Sequence, residues 1–493
     1  MGIINRAKIY QLQLLLCLTF LFMLKVSKVN SQNAGSLFMF PDNYRAQMLN
    51  PSLMRNDGAI ILAVPGLAGI SIDNDGNFKL TDFVYTQPSG QTVFDLGRFS
   101  NKARPINLNS VRFSLPLFYL GIPVEKGMFS IYLKEQINTA IRFPVNTITW
   151  FDNGNIPKEY RNFESGNIDF RMLSYHELGL GFTRQLSDNI HFGIRGKLLF
   201  GAVYANINNW NYTVETSPSG DQVLLTSNGT GKLSVPFPVV FDKLGQIQKI
   251  ETQNIIANYF SFRNPGVTID GGITYTIDEN RTFTASVTDL GFIYFGKNAW
   301  DLYQNDSFVF RGIDISNSTN SKIGNGYVFP FNLMLNVKDS LRSVFKPFAN
   351  QRHLLRGPVP KTYLHYRYRY SENLAFGVTN ETVFQKLYFM NNLTVSALRW
   401  WGDFSLVGNI TLHRLSSVSV GGGLQWNNSF SQLFVFTDNL MANYHPATQK
   451  SYSITFGMNF LLNHTESGIA NRKNNYSRRG KISKYFPFYR RYQ

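Results

Sequence analysis

The amino-acid sequence predicts an all-β chain, a transmembrane antiparallel β-barrel of about 14 strands. Three observations carry that prediction: period-two alternation in segment after segment, an aromatic-rich and charge-poor composition, and connections that alternate between tight turns and long loops. Aromatics make up 15% of the chain, with 42 Phe and 25 Tyr, while charged residues reach only 16%. A soluble protein of this size carries about 25% charged residues.

The first element is a leader. Arg6 and Lys8 precede an apolar run from Leu14 to Leu24, and a small-residue stretch through Ser31 follows. This pattern reads as a secretory signal peptide over 1–31, cleaved after Ser31. The run is shorter than the roughly 20 apolar residues that a spanning helix requires. The single cysteine, Cys17, lies inside the run with Leu14-Leu15-Leu16 before it, which is not a lipidation site. The chain after residue 31 therefore has no cysteine for a disulfide or a thiolate-bound metal.

Residues 32–57 form the second element, a segment containing Asp42, Arg45 and Arg55 ahead of the first strand. The barrel occupies 58–462. In 452–460, Tyr452, Ile454, Phe456, Met458 and Phe460 share one face and Ser453, Thr455, Gly457 and Asn459 the other. In 364–370, Leu364, Tyr366, Tyr368 and Tyr370 oppose His365, Arg367 and Arg369. The stretches 267–277 and 404–413 alternate in the same way. Successive side chains of a strand point to opposite faces, so each stretch is a two-faced strand.

Taken in order, the predicted strands are 58–73, 109–122, 127–142, 174–186, 190–207, 264–277, 281–295, 361–370, 373–383, 387–399, 403–413, 417–426, 431–441 and 450–461. Tight turns such as Ser187-Asp188-Asn189 and Asp278-Glu279-Asn280 alternate with the long segments 74–108, 143–173, 208–263 and 296–360. Short turns at one end and long loops at the other are the bacterial outer-membrane pattern, and an even strand count puts both termini in the periplasm. Closure of the last strand on the first is expected, because open edges in lipid leave backbone groups unsatisfied. Within 208–263, Gln222 to Val235 also looks strand-like. It is either the upper half of a hairpin outside the membrane or part of two further spanning strands. Gly193, Gly196 and Gly421-Gly422-Gly423 are read as bends or bulges in the wall.

The last element, 463–493, is a basic aromatic tail. Arg472, Lys473, Arg478, Arg479, Lys481, Lys484, Arg490 and Arg491 stand against one acid, Glu466. Arg478, Arg479, Lys481, Lys484, Arg490 and Arg491 are candidate contacts for anionic headgroups, acidic cell-wall components or an envelope protein. Nucleic acid is not an expected partner in that compartment.

Asn50-Pro51-Ser52 is similar to the Asn-Pro-Ala element of fatty-acid-transporter-type (FadL-like) barrels. The stretches 179–201, 265–275, 286–293 and 437–440 extend the likeness. Together they resemble a Bacteroidota outer-membrane family of unknown function, related to FadL-like and PorV-like barrels, over residues 35–462. The resemblance implies a 14-stranded barrel whose N-terminal segment plugs the lumen, with Asn50 and Pro51 in the plug. It does not supply an activity.

No catalytic, cofactor or metal site is expected. The seven histidines have no ligand spacing, and neither a nucleophile elbow nor a phosphate-cradling glycine loop is present. The candidate site is the inward-parity charge: Arg112, Arg195, Lys197, Asp270, Asp289, Arg367 and Arg369. These charges either attract anions into the lumen or pair with one another and with 32–57. Two functions follow as expectations. The first is a plugged conduit or binder for a small hydrophobic molecule, with membrane lipid around it. The second is an accessory subunit of a secretion, adhesion or envelope-assembly machine, recognised through its loops or tail.

Overall fold

A computed structural model describes residues 34–463 apart from 56, 87, 89–91, 149–161, 218–221, 244, 252–253, 311–346, 385–388, 414–417, 438 and 441–447. The predicted signal peptide, most of the predicted tail and much of the 296–360 loop lie outside the described residues. No described helix is long and apolar enough to cross a membrane.

Fourteen strands close into one antiparallel ring. They are β1 (Ala59–Ala63 and Ile70–Gly76), β2 (Ile106–Val124), β3 (Gly127–Pro144), β4 (Ile168–Ser187), β5 (Ile190–Thr216), β6 (Pro265–Thr276) and β7 (Arg281–Phe295). Then follow β8 (Lys361–Ser371), β9 (Leu374–Phe384), β10 (Phe389–Trp401), β11 (Phe404–His413), β12 (Val418–Asn427), β13 (Ser431–Thr437) and β14 (Ser451–Asn463). Each strand pairs with its neighbours in chain order. The seam is made by β14 against both parts of β1, from Ala59↔Asn463 to Asp75↔Ser451. The expected closure is met, and the ring has no free edge for lipid to meet.

The alternation sorts as lipid and lumen require. Leu180, Ile194, Val267, Ile273, Leu364, Tyr366, Val378, Val395, Ile410 and Leu424 are exposed on the outer wall. Thr268, Thr274, Ser286, His365, Thr379, Ser396, Asn409, Thr411 and Thr455 are buried on the inner one. A water-soluble monomer exposes apolar patches of a few hundred Å² at most. A belt of Leu, Ile, Val and Tyr running round the whole ring fits a hydrocarbon solvent.

Four details refine the sequence reading. First, 58–73 is not one run: Val64-Pro65-Gly66-Leu67-Ala68-Gly69 forms a turn between the two parts of β1, with Ala68 N–H bonded to Val64 O at 2.8 Å. Proline cannot donate to the ladder and Gly66 sits at φ 80°, which ends the pairing there. Second, the predicted strand 431–441 ends at Thr437.

Third, of the two alternatives left open for Gln222 to Val235, Val223–Ser234 follows the hairpin one. It pairs with the upper part of β5 and with Ala299–Phe310, extending the sheet beyond the point where β5 leaves β6. The ring itself closes below, through β5 and β6, so this sheet projects from the loop end.

Fourth, the glycines read as bends or bulges carry no register shift. The ladders run unshifted past Gly193, Gly196 and Gly421-Gly422-Gly423. The register shifts fall elsewhere. One in β2 lies between Pro116 and Phe118, one in β5 leaves out Ala202, and one falls between β6 and β7 near Asp289. Each extra residue flips the parity beyond it.

Candidate functional site

The inner face of the ring is the candidate site, and the described residues from Ala34 to Arg55 pack against it. Nearly every described residue of this segment up to Arg55 is buried, including Phe38, Phe40, Tyr44, Ala46, Asn50 and Ser52. Two short helices build it, α1 (Ala34–Leu37) and α2 (Tyr44–Leu49). Asn43 starts α2 by accepting the Arg45 N–H at 2.9 Å, as a cap residue does. The amide of Asn43 also donates to Gln425 of β12.

Contacts from this segment reach round the ring. Asn409 of β11 donates to Ser36 at 2.6 Å, and Ser396 of β10 to the Gly35 carbonyl at 3.3 Å. Ser286 of β7 donates to the Leu49 carbonyl at 3.0 Å, and Thr183 of β4 to the Pro51 carbonyl at 2.5 Å. Tyr44 Oη donates to the Ala68 carbonyl in the turn that splits β1. Burial pushes the Tyr44 phenol up to about 12, so it is a donor at any physiological pH.

Asn50 and Pro51 sit where two glycines face each other across a ladder, Gly193 of β5 against Gly272 of β6. A Cβ on Gly193 would lie 2.0 Å from the Pro51 carbonyl oxygen, and one on Gly272 would lie 1.9 Å from Asn50 Oδ1. The pair is a window in the inner wall that only glycine leaves open. Asn50 Oδ1 accepts the N–H and hydroxyl of Ser52, each at 2.8 Å. This local turn is one that asparagine forms readily. Ser52 Oγ lies 2.8 Å from Thr274 Oγ1, tying the turn to β6. The seat uses the Ser52 hydroxyl directly, so the serine at this position has a structural partner.

The predicted inward charges separate into two groups. Arg112 is bound by Asp73 at 2.8 Å and Glu381 at 3.1 Å. Lys197 is bound by Asp289 at 2.6 Å and Asp270 at 2.7 Å, with Glu177 at 3.7 Å. Arg195 joins Asp270 at 3.1 Å and donates to the carbonyls of Met48 and Gln47 at the end of α2. Lys134 and Lys361 complete the belt on Glu177 and Asp289, both at 3.1 Å. Buried charges survive when paired in this way. Of the two alternatives open in the sequence, this belt follows the pairing one. Asp289 reaches it because of a left-handed backbone, φ 67°, at the β7 shift.

Arg367 and Arg369 are apart from the belt, near the turn end. There a cavity of about 510 Å³ lies below the N-terminal segment. Its rim includes Asn280, Glu372, Asn373, Gly402 and Asn427 of the short turns. Phe38, Met39, Phe40, Leu53, Met54 and Trp400 give it an apolar roof and flank, and Arg55, Arg367 and Arg369 give it cations. Burial opposes the charge of Arg55, but Asp57 at 2.5 Å and Asp42 at 3.3 Å outweigh this and raise its pKa. At the other end the interior is filled by Tyr175, Leu199, Tyr204, Phe295 and Leu354.

The glycine window, Glu177, Lys134, Lys361 and Trp400 were missed in the sequence. Parity could have placed Glu177 and Lys134 inside; the window needs three-dimensional contact to be seen. Among the described residues, no group of three or more His, Cys, Asp or Glu is arranged to hold a metal. His176 pairs with Glu135 at 2.5 Å, on the outer parity of β4 and β3.

A family model described as Family of unknown function (DUF5723) matches residues 51–438. The chain belongs to this family. The DUF5723 match begins at Pro51, on the glycine window, and runs through all but the last strand of the ring. A search of curated proteins finds no match. Among solved structures, the chain is similar to a Pseudomonas putida toluene transporter, TodX, at 10% identity and TM-score 0.36, covering 89% of this chain and 95% of that one. A Pseudomonas aeruginosa FadL homologue is similar at 8% identity and TM-score 0.40, covering 89% and 99%. A monoaromatic hydrocarbon channel, CymD, gives 9% identity and TM-score 0.33, covering 89% and 100%.

Proposed function

We propose that this DUF5723 protein is an outer-membrane conduit or binder for a small hydrophobic or amphiphilic molecule, with residues 32–57 as a lumen plug. One observation carries the reading. A closed ring holds its own N-terminal segment on inward hydrogen bonds and leaves a cavity of about 510 Å³ beneath it. A volume between about 300 and 1,000 Å³, walled by apolar side chains with a few polar groups, is the usual form of a small-molecule site. In this reading the turn end and both termini are periplasmic, and the charge belt is the frame that holds the plug. A leader over 1–31 and a Bacteroidota source are part of the same proposal, as the sequence reading has them.

The test is flux across liposomes reconstituted with the chain, with and without residues 32–57. Uptake of a small apolar tracer that rises when the segment is removed supports the conduit. Absence of flux from both forms removes it.

A second reading, an accessory subunit of an envelope machine, draws on the sheet formed by Val223–Ser234 and Ala299–Phe310, which projects from the loop end. Native purification that recovers a stoichiometric envelope protein, lost when 223–234 is deleted, supports it. Recovery of a lone barrel counts against it.

A further inference from the structure

We infer that the turn-end cavity is a recognition site for a compact organic anion, an acidic head on an apolar body, with Arg367 as the head-group contact. The inference deepens the conduit-or-binder reading and rests on it. It starts from an imbalance among the cavity's cations. Arg55 is taken by Asp57 and Asp42, and the Asp42 carboxylate also accepts from Gln432 at 3.2 Å. Arg369 directs Nε and Nη2 to the backbone carbonyls of Ser371 and Glu372, at 3.2 and 3.1 Å.

Arg367 is different. It shares the inner face of β8 with Arg369, two residues away, and makes no ion pair with any described carboxylate. Its contact is the Trp400 ring, with the guanidinium carbon 5.4 Å from the ring centroid. A cation held on an aromatic face keeps its in-plane N–H groups directed outward, and these match a carboxylate. The belt cations Arg112, Lys134, Arg195, Lys197 and Lys361 each have an acidic partner within 3.1 Å. Arg367 differs from these, and it lines a cavity large enough for a small molecule.

The body of the ligand follows from the apolar part of the lining. Phe40, Leu53, Met54 and Trp400 offer apolar surface, and Phe38 is committed to stacking on His365 at 5.4 Å. Met54 is unbranched and adapts to irregular shapes. The cavity therefore suits a short apolar body attached to one anionic group, with Thr284, Ser405 and Gln425 as further polar wall groups.

The experiment uses the full chain in lipid nanodiscs, titrated with 4-phenylbutyrate and with its neutral analogue 4-phenylbutanol, against protein-free nanodiscs. The acid is expected to bind at least about tenfold more tightly than the alcohol, as loss of a hydrogen bond to a charged group implies. Arg367→Gln is expected to erase that preference by weakening the acid alone, and Arg367→Lys to retain part of it. Equal binding of acid and alcohol by the wild-type chain overturns the inference, as does a preference that survives Arg367→Gln. Should Arg367→Gln fail to fold, the wild-type comparison together with Arg367→Lys decides. The conduit reading fails separately: acid preference without liposome flux keeps the site and removes transport.

Discussion

Adding one methyl group at Gly193 tests whether the N-terminal segment is seated where its contacts place it. In Gly193→Ala the new Cβ would stand 2.0 Å from the Pro51 carbonyl oxygen, 2.1 Å from its carbon and 2.5 Å from Ser52 N. All three are backbone atoms, so no side-chain rotation relieves the overlap. Ordinary contact begins at 3.4 Å, so the Asn50-Pro51 turn must withdraw by about 1.4 Å. That displacement breaks the Thr183–Pro51 and Ser52–Thr274 bonds, now 2.5 and 2.8 Å long. At about 1 kcal/mol net per bond, the loss is about 2 kcal/mol, within the roughly 1–3 kcal/mol that overpacking costs. Since 1.4 kcal/mol is a factor of ten, the population of unseated segment should rise about 30-fold.

The assay is limited trypsin digestion in nanodiscs, following cleavage after Arg45 and Arg55 by mass spectrometry. Cleavage tracks the open population when opening is fast. Gly196→Ala is the matched control: it lies on the same strand, facing outward, with nothing within 4 Å of the added Cβ. Gly193→Ala should be cut about 30-fold faster and Gly196→Ala at the wild-type rate. Equal rates for both variants would refute the seat.

Three further outcomes are expected. Lys197→Met leaves Asp270, Asp289 and Glu177 short of a cation and should lower stability by about 3–5 kcal/mol, measured by guanidinium unfolding in detergent; a change under about 1 kcal/mol would show that the belt is not a buried network. Val395→Arg places a charge on the exposed outer face of β10 and should cost about 2–4 kcal/mol in lipid, whereas Thr226→Arg on the projecting sheet should cost under about 0.5 kcal/mol. Similar costs at the two sites in liposome refolding would deny that lipid ends below that sheet. Arg195→Met removes the donor to the Met48 and Gln47 carbonyls and should raise trypsin cleavage after Arg45, while Asp270 keeps Lys197 as its partner.

The wall was legible because each of its strands meets two different solvents, and a period of two records both. Leu364, Tyr366 and Tyr368 against His365 and Arg367 needed no partner strand to be sorted. The strand count and the closure followed from the same pattern with the tight turns. What was not legible depends on residues distant in sequence. The break in β1 sits inside an apolar run, where Pro65-Gly66 is the only local sign. Gly193 reads in sequence as a weak point of a strand, yet its function as a window appears only when Gly272 and Pro51 are brought to it. The charge belt was half visible: Arg112, Arg195, Lys197 and Asp270 follow parity. Asp289 lies at a register shift, and the bond it accepts from Lys361 spans 72 residues. The contrast between Arg367 and the paired cations could not be read at all, since pairing is a property of the ring.

The proposed function requires the N-terminal segment to occupy the lumen on the glycine window and to control passage through it. A double substitution, Ser52→Cys with Thr274→Cys, tests this most directly, because the two hydroxyl oxygens lie 2.8 Å apart and the chain's single cysteine is Cys17. Mild oxidation in liposomes should join the two introduced thiols and hold tracer flux at its floor, and reduction should restore the wild-type rate. Thiols that stay unlinked and react freely with a water-soluble maleimide, or flux indifferent to the link, would contradict the account.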